Sequence, residues 1–293
     1  MSAGSLYLES RYRKFARGLP QTIFHCPVCK GDRRRRRQCV ECEGRGKLSA
    51  DSVQELLGRR LLPAYRARTG KFHGAGREDI DVCMLGRGRP FVYEVVGPRR
   101  SDVDLDEIVA RFNREEADRV AIDPFVVVDR ARVAALKEAN HDKRYRLGVA
   151  VDGAFELRSI ERWVGVDVSI AQRTPLRVVH RRGDLVRDRR VRIVALRLDA
   201  SLPPGIDFEV DIETAGGTYV KEWVSGDEER TSPSVSAWLG TPAQCARLDV
   251  LEILDDREPS APTGEKLGDA AVEGQPDRLA SGGERLERAH GTG

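Results

Sequence analysis

Long apolar runs are missing from this chain of 293 residues, and so is a charged-then-apolar-then-small opening. The first absence leaves nothing approaching the ~18 apolar residues of a membrane span. The second leaves no secretory signal. Both point to a soluble, cytoplasmic protein with no membrane partner. Lysine is also scarce: of 50 basic residues only eight are Lys. Aromatic residues make up only 6%, yet the hydrophobic fraction of 40% is enough for a sizeable core.

Arginine therefore carries nearly all the positive charge. Its guanidinium makes forked phosphate contacts and stacks on bases. The net charge is only +3, so position matters more than total. Arg33 to Arg37 form an unbroken run, and Arg177, His180, Arg181, Arg182, Arg187, Arg189 and Arg190 crowd a second stretch. Each suits a polyanion or a solvated face.

Of six cysteines, four are spaced C-x2-C-x9-C-x2-C as Cys26, Cys29, Cys39 and Cys42. Without a secretion signal this favours metal over disulfides. Two tight turns would aim four thiolates at one ion, a structural zinc. Cys83 and Cys245 stand alone. The Arg33 to Arg37 run falls between the two pairs, as an RNA grip or a solvated linker.

The pattern along the chain predicts three regions. Residues 1–50 form an amino-terminal segment with the four-cysteine element, 51–257 a folded domain, and 258–293 a disordered tail poor in apolar periodicity. A helix starts at Asp51 to Gln54 with a capping-box pair, its apolar face being Leu56, Leu57, Leu61 and Leu62. Residues 70–90 read as a loop punctuated by Gly70, Gly74, Gly76, Gly86 and Gly88. Helices follow over 104–118, 130–140 and 156–164, with strands over 91–96, 120–129 (buried), 145–151, 190–198, 208–213 and 247–254. A last helix opens at Ser232-Pro233 and closes at Gly240. Strands and helices without a strict βαβ rhythm predict an α+β fold.

Gly76-Arg77-Glu78-Asp79-Ile80-Asp81 sets carboxylates beside an arginine. Such residues could serve acid–base roles or hold Mg²⁺ for nuclease chemistry. In an extended segment Asp79 and Asp81 share a side.

The segment Phe72 to Val82, followed by Met84-Leu-Gly and Gly88-Arg-Pro-Phe91, resembles the tenth family of tRNA pseudouridine synthases. This is the archaeal and eukaryotic type acting at positions 54 and 55 of the TΨC arm. Ordered matches continue through Lys143-Arg-Tyr145-Arg, Gln172-Arg-Thr-Pro175, His180-Arg-Arg182, Ala215 to Glu222, Ser225-Gly-Asp227 and Arg247 to Leu251. The resemblance spans about residues 5 to 255.

It implies a pseudouridine synthase fold, with a mixed or antiparallel sheet and a central RNA-binding cleft. It implies uridine-to-pseudouridine isomerisation at position 54, 55 or both, with tRNA as partner and no organic or nucleotide cofactor. A monomer is expected. The G-R-x-D motif of such enzymes carries the nucleophilic aspartate, which falls on Asp79, with Glu78 and Asp81 as accessory carboxylates. Lys221 matches the basic residue set against that aspartate. Tyr145 matches the tyrosine that stacks on uracil and is a candidate for C5 proton abstraction. Arg77, Tyr219, His180, Arg181 and Arg182 are expected to bind the substrate.

Two departures stand near the loop. Cys83 occupies a place where relatives carry arginine, and Gly97 replaces a longer polar side chain. Relatives also carry an amino-terminal accessory RNA-binding domain with no counterpart in these residues. A catalytically inactive, zinc-containing RNA-binding protein is the alternative expectation.

Overall fold

The computed structural model describes residues 4–180, 182–198 and 201–255. The expected tail over 258–293 and the candidate Arg181 lie outside them.

Among the described residues, eleven strands form one mixed sheet. In chain order they are β1 (Ser5–Lys14), β2 (Thr69–Gly74), β3 (Cys83–Val96), β4 (Val120–Ile122), β5 (Val126–Val128), β6 (Asp142–Val151), β7 (Asp167–Arg173), β8 (Val186–Arg197), β9 (Phe208–Thr214), β10 (Thr231–Ser232) and β11 (Ala243–Leu254). The order across the sheet is β10-β7-β8-β9-β6-β11-β3-β1-β4, with β2 on β3 and β5 on β1. The helices are α1 (Val53–Ala64), α2 (Leu105–Glu115), α3 (Ala131–Glu138), α4 (Arg158–Glu161), α5 (Leu176–Val179), α6 (Val220–Ser225) and α7 (Val235–Leu239). The α+β expectation holds.

One seam matters most. β11 runs parallel to β3, with Asp249 opposite Cys83 and Val250 opposite Met84. The other strand pairs between named strands are antiparallel. The seam therefore joins β1 to β5 on one side to β6 to β10 on the other. The loop over residues 75–82 enters β3 at this seam.

Local chemistry accounts for most elements, with three corrections. The α1 cap is Ser52, whose Oγ accepts from the Glu55 amide at 3.2 Å and donates to the Glu55 carboxylate at 2.9 Å. That box is shifted one residue from the expected Asp51 and Gln54. Leu56, Leu57 and Leu61 are buried as expected, each contributing about 1.5–3 kcal/mol by leaving water.

Secondly, 70–90 is not one loop. β2 takes its first residues and β3 begins at Cys83. The glycines serve a bulge: the register against β1 slips between Tyr12 and Lys14. Gly88 has φ +75°, and a Cβ there would sit 2.6 Å from the Tyr12 carbonyl oxygen. Thirdly, 120–129 is two short strands around Pro124, which cannot donate to a ladder. Val126 and Val127 are about 60% exposed rather than buried.

The core lies along the sheet. Tyr12, Phe72 and Phe91 pack ring against ring at 4.9 to 6.0 Å. Beyond the seam, Leu147, Val149, Phe208, Val210, Ile212 and Trp223 continue the same cluster. Among the described residues no helix is long and apolar enough to cross a membrane.

Candidate active site and cysteine cluster

The 75–82 loop is anchored from behind. The Glu78 side chain is buried. Tyr12 donates to its carboxylate at 2.7 Å, and Arg89 Nε donates at 2.8 Å. Arg89 also donates to the Ala75 carbonyl at 2.7 Å. Lys14 Nζ, fully buried, donates to the carbonyls of Leu19 at 2.8 Å and Asp79 at 3.2 Å. Gln21 donates to the Tyr12 hydroxyl at 2.8 Å and the Gly76 carbonyl at 3.1 Å. Burial drives the Tyr12 phenol far above its usual range, and the Glu78 charge adds to this. Burial lowers the Lys14 ammonium, partly offset by Glu78. Glu78 is thus a counter-charge that ties the loop to the core, and it also lines the cleft beside Asp79 and Asp81.

The next residue faces the other way. Asp79 is about half exposed and lies 3.3 Å from Lys221 Nζ. Asp81 holds the same ammonium at 2.9 and 3.1 Å. Burial pushes the Asp81 carboxyl up, but hydrogen bonding and charge from Lys221 outweigh this and hold it below its usual value. Burial likewise pulls Lys221 down, while Asp81 and Asp79 leave it raised overall. The pair stays ionised. A turn, in which the Val82 amide donates to the Asp79 carbonyl at 3.2 Å, brings both carboxylates onto one cation.

Lys221 stands in the first turn of α6, and Gln172 fixes where that helix starts. The Gln172 side chain accepts from the Tyr219 amide at 2.8 Å and donates to the Tyr219 carbonyl at 3.0 Å. Gln172 is buried in β7, so the far half of the sheet sets the position of Lys221.

These groups line a cleft of about 980 Å³ that also takes in Arg77, Tyr145, Arg177, Arg182 and Tyr219. Its floor includes Leu248 and Val250 of β11, so the cleft lies over the parallel seam. Arg77 is exposed and makes no ion pair with a described residue. Arg182 donates to the Tyr219 hydroxyl at 2.8 Å. Arg177 sits 5.8 Å from the Tyr219 ring centre and pairs with Glu222. Tyr145 packs on the core, and burial pushes its phenol up to about 12. His180 is exposed and does not line this cleft.

The cysteines form a second centre. Cys26, Cys29, Cys39 and Cys42 are buried, and their sulfurs lie within 4.8 Å of one another. The Cys26–Cys39 and Cys29–Cys42 separations are 3.7 Å. Four sulfurs at 2.3 Å around a tetrahedral ion would stand about 3.8 Å apart. Both pairs make the same turn. Lys30 and Gly31 have φ of 53° and 76°, and Glu43 and Gly44 have 50° and 78°. The Gly46 amide donates to Cys42 Sγ at 3.1 Å. The cluster could hold a metal ion.

Residues 7–254 match the family model described as "Pus10, C-terminal". The chain belongs to this family. Curated relatives named "tRNA pseudouridine synthase Pus10" bear out the resemblance. The one from Methanopyrus kandleri is 42% identical over 256 residues, 86% of this chain and 56% of the relative. That from Methanothermobacter marburgensis is 43% identical over 251 residues, 85% and 60% of the two chains. That from Korarchaeum cryptofilum is 40% identical over 253 residues, 85% and 65%. The chain spans little more than half the length of the first two. A chain from a Cbf5-Nop10-Gar1 complex aligns with TM-score 0.38 and 14% identity, over 69% of this chain and 45% of that one. That likeness is too slight to build on.

Within this Pus10 C-terminal chain, four site residues escape a sequence reading. Tyr12, Lys14 and Arg89 meet Glu78 across separations of 11 to 66 residues in the chain, with nothing local to mark them. Lys143 lines the cleft, and burial together with the Arg89 charge brings its ammonium down to about 8. Its sequence signal was proximity: it lies two residues before Tyr145, so the two share a strand face. Cys83 is not among the cleft residues. Its thiol donates to the Phe15 carbonyl at 3.2 Å.

Proposed function

We propose that this chain isomerises uridine to pseudouridine in tRNA, with Asp79 as nucleophile. The observation that carries the reading is the Asp79–Lys221 pair, 3.3 Å apart across an open cleft, in a chain 42% identical to a named tRNA pseudouridine synthase.

The reaction breaks the C1′–N1 bond, turns the base and joins C5 to C1′. The proton lost from C5 is balanced by the one N1 gains, so no redox partner is needed. A carboxylate must remain ionised beside the flipped nucleotide, and Lys221 supplies the neighbouring cation. Flipping the base costs a few kcal/mol of stacking. Contacts from Arg77, Arg182 and Tyr219 to the nucleotide and its backbone offset that cost. The phenol of Tyr145, held neutral with its value near 12, serves better as a packing surface for uracil than as a phenolate base.

The ion of the cysteine cluster is zinc in this reading, because four thiolates suit it and the 3.7 Å edges fit. It staples the element and takes no part in chemistry. Metal analysis of the purified chain should give about one equivalent of zinc. Less than half an equivalent would overturn this assignment.

The function is tested by pseudouridine mapping on unmodified tRNA incubated with the purified chain. New pseudouridine at position 54, 55 or both is expected. Binding of tRNA without any pseudouridine would instead favour the inactive RNA-binding reading.

A further inference from the structure

The cysteine element carries the run Arg33 to Arg37, all five exposed. None makes an ion pair or side-chain hydrogen bond with a described residue, in contrast to several arginines elsewhere in the fold. Arg11, Arg89, Arg132, Arg146 and Arg197 each hold a carboxylate at 3.0 Å or less. The acid next to the run, Asp32, accepts through Oδ1 from the amides of Arg34 and Arg35 at 2.9 Å each and interacts with the Arg35 charge without an ion-pair contact.

The backbone beneath the run is fixed. Arg35–Gln38 form a short 3₁₀ turn. The Arg36 amide donates to the Asp32 carbonyl at 2.9 Å, and the Cys39 amide to the Arg36 carbonyl at 3.1 Å. Three residues per turn fan successive side chains about 120° apart, which suits contacts to several phosphates rather than to one.

The element is rooted at the cleft. Phe24 lines the cleft. Its carbonyl accepts from the Leu48 amide at 2.8 Å, and His25 bridges Lys47 just beyond.

We propose that Arg33 to Arg37 form an RNA-backbone grip on the cysteine element, adding affinity without taking part in the isomerisation. The proposal rests on the RNA reading of the cleft. Five exposed arginines that form no ion pair with a described residue have a polyanion as their complement, and the RNA reading of the cleft, which Phe24 lines at the root of this element, favours RNA over an acidic protein.

The test replaces Arg33, Arg34, Arg35 and Arg37 by Gln together. Arg36 is kept because its side-chain stem lies against Gly46. Unchanged melting and metal content verify the fold. Each lost phosphate contact removes about 0.7–0.9 from the slope of log K against log salt. A slope lower by about two or more is therefore expected, with tRNA affinity down at least about tenfold at moderate salt. The turnover rate at saturating tRNA should not change. A double Arg59→Gln/Arg111→Gln variant, which removes arginines already paired with Asp51 and Glu115, should leave the slope near wild type. Unchanged slope and affinity in the quadruple variant would overturn the grip and leave an acidic protein as the complement. So would an equal loss in the control, or a lower turnover rate with intact binding. Binding is read without turnover, so an inactive wild type would sink the enzymatic reading separately.

Discussion

On the core side of the 75–82 loop, Glu78 is shut in with Tyr12, Lys14 and Arg89. One residue further on, Asp79 is about half exposed and faces Lys221. The two carboxylates are neighbours in sequence and do opposite work. Glu78 neutralises buried cations and makes the loop rigid. Asp79 is then presented at a fixed place with its charge supported from the far side of the cleft. The difference teaches that an acidic triplet in a glycine-rich segment need not be one site.

The contrast can be broken by substitution. Glu78→Gln leaves Arg89 and Lys14 as buried cations without their counter-charge. It should destabilise the chain by about 3–5 kcal/mol, read as a lower urea midpoint. Asp79→Asn should stay within about 0.5 kcal/mol of wild type. Equal destabilisation by both would show that the two sides of the loop are not distinct.

Lys221→Met should lower the turnover rate by about 10²–10³ while changing stability by no more than about 1 kcal/mol. Asp81→Asn leaves Lys221 to Asp79 alone and should cost less, about tenfold. Single-turnover rates on saturating tRNA check both. A larger loss in Asp81→Asn than in Asp79→Asn would move the nucleophile to Asp81.

The smallest effect is one of pH. Lys143 titrates near 8 in the folded chain, against about 10.4 unfolded. A lysine lowered in this way opposes folding below pH 8, and that cost disappears as pH rises from about 8 to 10.4. Its charge, and with it attraction for RNA phosphate, follows the reverse course. Affinity for tRNA should weaken as pH rises through about 8, and Lys143→Met should flatten that dependence. The same pH profile in both proteins would exclude Lys143 from RNA contact.

How much of this the sequence carries varies with the range of the interaction. The cysteine spacing, the α1 apolar face and the Gly240 stop of α7 are local, and each is found where the pattern puts it. The Asp79–Lys221 approach spans 142 residues, and the family resemblance implies it where no pattern in the chain does. The Glu78 network has no local signal, because its burial depends on strands β1 and β3 meeting. The glycines of 70–90 suggest a loop in sequence because a bulge and a loop use the same residue for the same reason. The two arginine clusters look alike in sequence. In the fold, Arg177 and Arg190 of the second are paired with acids, Arg182 and Arg187 reach hydroxyls of Tyr219 and Thr174, and Arg33 to Arg37 have no such side-chain partner among the described residues.

The most direct measurement of the central claim is pseudouridine formed in tRNA by wild type and Asp79→Asn under single-turnover conditions, with tRNA affinity measured on both. Wild type should form pseudouridine. Asp79→Asn should bind with unchanged affinity and form none. Pseudouridine formation by Asp79→Asn at the wild-type rate would contradict the assignment of the nucleophile.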